Sequence, residues 1–89
     1  MSAVWKYPLA VTDVQEVEMP AGAEILSAQV QDETLCLWAL VVPGWEEEPR
    51  RIRIVGTGNP FDHETGVKFI GTVQMHSGLL VWHVFEELV

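Results

Sequence analysis

Apolar and polar residues alternate with a period of two along most of this chain, and that period predicts strands rather than helices. Val14 to Met19 shows it most cleanly: Val17 and Met19 face one way and Glu16 and Glu18 the other, as a strand with one wet face requires. Val4 to Leu9 reads as a short strand in which Pro8, having no amide donor, suits an edge or a strand end. Ala23 to Gln31 alternates in part, which predicts Leu26, Ala28 and Val30 on one face and Ile25, Ser27, Gln29 and Gln31 on the other. Leu35 to Val42 is apolar throughout. Its length and its β-branched end predict a strand covered on both sides rather than a buried helix. Arg50 to Val55 sets Ile52 and Ile54 against Arg51 and Arg53. Val67 to Met75 is expected to turn Val67, Phe69, Val73 and Met75 inward and Lys68, Thr72 and Gln74 outward. Gly71 in mid-strand marks a bulge or a close backbone approach. Leu79 to Phe85 reads as the last strand, followed by Glu86-Glu87-Leu88-Val89 as a tail.

Turn chemistry separates these runs. Thr12-Asp13, Pro20-Ala21-Gly22, Asp32-Glu33-Thr34, the proline-bounded Pro43 to Pro49, Gly56 to Pro60, Phe61 to Gly66 and His76-Ser77-Gly78 all break the pattern. No segment carries a helical period with caps. The expectation is an all-β fold, a small antiparallel sandwich or barrel of about seven short strands, with residues 1–89 as one β domain.

Composition changes the picture in two ways. A chain of 89 residues buries only about 60% of the surface its unfolded form exposes, yet 48% of its residues are hydrophobic and four are Trp. Apolar surface left over from so small a core predicts a homo-oligomer. Acids outnumber bases thirteen to five, for a net charge of -8. That balance argues against a general nucleic-acid binder and against an anionic membrane surface. The acids are scattered rather than laid out as a stripe, which disfavours mimicry of nucleic acid. Cys36 is alone within an apolar run, the setting of an inert buried thiol. With no basic-then-apolar leader and no apolar run approaching about 20 residues, the expected location is the cytoplasm.

Candidate chemistry is sparse. Arg50, Arg51 and Arg53 concentrate positive charge in an acidic chain and lead into the turn Gly56-Thr57-Gly58. Forked guanidinium donors and glycine-exposed amides suit a phosphate. The turn lacks the third glycine and the following helix of a dinucleotide fingerprint, since Asn59-Pro60 comes next. A plain strand-ending turn is the competing reading, and Glu46, Glu47 and Glu48 stand ready to neutralise the arginines. Trp45, in the proline-rich loop, either folds onto the core or meets a partner. His83 shares a face with Val81 and Phe85 and is expected to be a hydrogen-bonded core histidine, with a ligand-pocket donor as the alternative. Trp82 could stack on a base. His63, His76 and His83 match no zinc spacing, and Ser27, Ser77 and Cys36 lack an elbow or a paired base. Neither a metal, a cofactor nor an enzyme activity is expected.

Lys6-Tyr7-Pro8-Leu9, Met19 to Ser27, Cys36 to Val41, Gly56-Thr57-Gly58, Phe69 to Gln74 and His83-Val84-Phe85-Glu86 together resemble a family of short uncharacterised proteins found in bacteriophage and bacterial genomes. The resemblance covers nearly the whole chain. It implies a small oligomeric phage protein, and such proteins often act against host defence, one strategy being a sponge that traps a nucleotide second messenger unaltered. The expected role is therefore a homo-oligomer that sequesters a small anionic, nucleotide-like ligand, with Arg50, Arg51 and Arg53 on phosphates, Gly56, Thr57 and Gly58 presenting amides, and Trp45, Trp82 or His83 on the rest. The alternatives are a module that docks on a host protein through the Trp45 loop, and a minor virion protein.

Overall fold

The computed structural model describes residues 1–63 and 66–88. Seven strands follow one another: β1 (Ala3–Pro8), β2 (Val14–Pro20), β3 (Glu24–Gln31), β4 (Thr34–Val41), β5 (Glu47–Gly56), β6 (Gly66–Met75) and β7 (Leu80–Leu88). They form two antiparallel sheets, one ordered β1-β4-β3 and the other β2-β5-β7-β6. The sheets pack face to face in an all-β sandwich, as the period-two pattern predicts.

Alternation fills the core. Leu35, Leu37, Ala39 and Val41 of β4 are buried on the inner face of the first sheet, against Met19, Ile52, Ile54, Val73 and Val84 of the second. β4 is central in its sheet, between β1 and β3, but its outer face is covered only in part rather than fully, since Leu40 there is 37% exposed. Cys36 is on that outer face, in register with Pro8 and Gln29, and is buried. Across the same face Lys6 Nζ donates to Gln31 Oε1 at 2.9 Å.

Bulges overturn two face assignments. The β3–β4 register shifts between Ile25 and Ser27, so Ile25, Ala28 and Val30 face the core while Leu26 is thrown out to 48% exposure. In β6 the shift falls between Phe69 and Gly71. Two residues there oppose one, which reverses the faces on either side. Phe69 and Val67 therefore lie on the outer face, and Phe69 is 56% exposed rather than inward. Gly71 sits at the bulge and also at a close approach of the sheets: a Cβ added there would stand 3.6 Å from both the Cβ and the carbonyl oxygen of Ala28.

Two further expectations need correction. Glu47 to Pro49 is strand, paired with Pro20 to Glu18, although the prolines predict a loop. Pairing of β5 with β7 begins only at Arg51, so the missing amide of Pro49 has no ladder to break on that side. Likewise Glu86, Glu87 and Leu88 are not a tail but the end of β7, paired with β5 and β6. Glu64, in the acidic loop, and Val89, at the end of the expected tail, lie outside the described residues.

Candidate functional site

The arginines of β5 divide by parity. Arg50 faces inward, and Arg51 and Arg53 face out on the second sheet. Arg50 meets both carboxylate oxygens of Glu86, with Nη2 donating to Oε1 at 3.0 Å and Nε donating to Oε2, and its Nη1 donates to the Ala23 carbonyl at 2.7 Å. The paired carboxylate holds the guanidinium pKa above its ordinary value, against a smaller opposing effect of burial.

On the outer face Arg51 Nε reaches Glu87 Oε2 at 2.5 Å, and Arg53 Nη1 reaches Glu87 Oε1 at 2.7 Å. Arg53 also donates to the carbonyls of Asp13 and Asp62 and lies over the Phe61 ring at 5.0 Å from its centroid. Phe61 packs in turn on Phe85. Glu87, hydrogen-bonded to Arg53 and close to Arg51, has its pKa lowered from the usual carboxylate value. The direct ion-pair partners are thus Glu86 and Glu87 of β7, while Glu48 adds only a weaker electrostatic effect on Arg50. Sequence distance hid them, because the pairing depends on β5 lying beside β7.

The rest of the expected site converges elsewhere. Gly56 closes β5 opposite Trp82. The turn that follows is held by Asn59 N donating to the Gly56 carbonyl at 3.1 Å. Gly58 supplies its positive φ of 83°. A Cβ added at Gly56 would stand 2.7 Å from Asn59 Nδ2 and 3.3 Å from Trp82 Cζ3, so the exposed Asn59 side chain would have to move aside. Thr57 Oγ1 lies 2.6 Å from His83 Nε2, and Thr72 Oγ1 lies 2.9 Å from His83 Nδ1. His83 is hydrogen-bonded as expected, but on the outer face, where it ties the turn to β6. Trp82, one residue earlier, packs against the core from the inner face.

Between this turn and the β6–β7 hairpin opens a cleft of about 380 Å³, lined by Gly56, Thr57, Asn59, Leu79, Leu80, Val81 and Trp82. None of these residues is charged. Trp82 Nε1 is buried without a hydrogen-bond partner. On the far side of the turn, Gly56 and Asn59 also border a smaller cleft of about 160 Å³ with Arg53, Asp13 and Asp62. Gly56, Thr57, Gly58, Trp82 and His83 are therefore brought together. Arg50, Arg51 and Arg53 are held by carboxylates, and Trp45 stands apart in the β4–β5 turn at 60% exposure.

Asn59, Leu79, Leu80 and Val81 are cleft residues that sequence reasoning missed. The signal in the sequence is the Leu79-Leu80 pair directly after the His76-Ser77-Gly78 turn; in the fold Leu79 is 84% exposed. Among the described residues no three His, Cys, Asp or Glu converge as metal ligands, and no helix is long and apolar enough to cross a membrane.

No curated protein and no solved structure matches this chain. A family model does, over residues 1–89, and by that match the chain belongs to the family described as a domain of unknown function, DUF7352.

Proposed function

We propose that the protein is a phage-type, non-catalytic binding module that captures the base of a nucleotide-derived defence signal and holds it unaltered. The observation that supports this reading is the uncharged cleft of about 380 Å³ in a chain of net charge -8. Its volume is in the range of small-ligand sites, about 300–1,000 Å³. Its walls are Trp82 and the aliphatic hairpin on one side and the Gly56 to Asn59 turn on the other. Apolar walls with a few hydrogen-bonding groups suit a planar, weakly polar ring. No cation lines the cleft, so the ring rather than the phosphates supplies the recognition.

The test is calorimetry with cyclic and ADP-ribose-type nucleotides beside the matching free nucleosides. A nucleotide and its nucleoside are expected to bind with similar affinity. Leu79→Glu puts a carboxylate at an 84% exposed position on the cleft rim and is expected to weaken binding about tenfold or more without loss of fold. Absence of heat with every member of the panel overturns the reading.

A second reading has its own observation: Trp45, 60% exposed beside Glu46 and Glu47, is placed to dock on a host protein. Trp45→Ala abolishing an interaction that Leu79→Glu spares moves the site to that turn.

A further inference from the structure

Three side chains with a hydrogen-bonding group line the uncharged cleft: Thr57, Asn59 and Trp82. Two of them are already committed or shut in. The Thr57 hydroxyl lies 2.6 Å from His83 Nε2, and Trp82 Nε1 is buried. Asn59 differs from both. It is exposed, and no hydrogen bond to the described residues takes up its carboxamide.

Asn59 is also held in place. Its backbone amide donates to the Gly56 carbonyl at 3.1 Å, and Pro60 limits the backbone choices of the residue before it. Its side chain lies across space that Gly56 leaves open, with Nδ2 only 2.7 Å from where a Cβ on Gly56 would stand. A strand that ends in glycine thus makes a seat for the carboxamide at the lip of the cleft. A group positioned before the ligand arrives loses little freedom on binding it.

We propose that Asn59 is the specificity-determining residue of the cleft, its carboxamide pairing with a ring edge that sets a hydrogen-bond donor beside an acceptor, as an aminopurine or an oxopurine does. This rests on the reading that a base occupies the cleft. A carboxamide offers an acceptor oxygen and two N–H donors, so it pairs side by side with such an edge, as asparagine does with adenine. An edge of acceptors alone leaves its oxygen without a partner. Trp82 and the Leu79-Leu80 pair give the ring apolar cover but do not tell one base from another.

Calorimetry on the intact protein with purine riboside, adenosine and guanosine tests the assignment. Purine riboside has the ring of adenosine without its amino donor. The wild type is expected to bind adenosine about fivefold or more tighter than purine riboside. Asn59→Leu is expected to erase that difference. Asn59→Asp offers only acceptors, and is expected to favour guanosine, whose N1–H and N2–H both donate, over adenosine by about tenfold. Gly56→Ala keeps Asn59 but drives Nδ2 from its seat, and is expected to narrow the difference as Asn59→Leu does. Should Asn59→Leu fail to fold, Gly56→Ala decides. A wild type that binds adenosine and purine riboside equally, or variants that keep the preference, overturns the role of Asn59 while leaving a base in the cleft. Absence of heat with every nucleoside overturns both.

Discussion

At the scale of single residues, backbone conformation sets several identities. The β3–β4 hairpin turns on Asp32 and Glu33, with φ of 49° and 62°, between the paired Gln31 and Thr34. Positive φ at both central residues is the turn whose twist matches the flanking strands. Aspartate tolerates that region; glutamate, with no short side chain to hydrogen-bond locally, is held there at a cost of about 1 kcal/mol. Glu33→Gly is expected to stabilise the fold by about that amount, a rise of about 4–8 °C in the thermal midpoint, measurable by calorimetry. Cys36 shows that burial does not require a place in the central core. It is covered on the outer face by neighbours that its register brings alongside.

At the scale of elements, β5 and β7 form the electrostatic seam of the second sheet. Arg50 with Glu86, and Arg51 and Arg53 with Glu87, cross from one strand to the other. The depressed pKa of Glu87 has a direct consequence for stability. A carboxylate whose folded pKa lies below its unfolded value, about 4.3 for Glu, contributes stability that is fully present above that unfolded value. The contribution is lost as pH falls through the lower folded pKa. Glu87→Gln is thus expected to lower the thermal midpoint at neutral pH. The gap to the wild type should close below about pH 4. Midpoints measured against pH check this, and a gap of constant size would show that the seam is not electrostatic.

At the scale of the whole molecule, a body of 39 × 33 × 16 Å is two sheets thick, and the closeness of the sheets depends on Gly71 over Ala28. An added methyl meets ordinary van der Waals contact at 3.6 Å, so Gly71→Ala is expected to be tolerated. Gly71→Val adds branches where there is no space, and is expected to destabilise by about 1–3 kcal/mol, read from denaturant unfolding. By itself the sequence determined the all-β class, the number of strands and the glycine turns, because period-two patterning and turn chemistry are local properties. It also brought Gly56, Thr57, Gly58, Trp82 and His83 forward as candidates. Tertiary structure decided which faces point inward after each bulge, since one extra residue reverses every side chain beyond it. It also decided that the arginines answer to Glu86 and Glu87, and that the open cleft is uncharged. Those outcomes depend on which strands become neighbours, and strand order is not written in any local stretch of the chain.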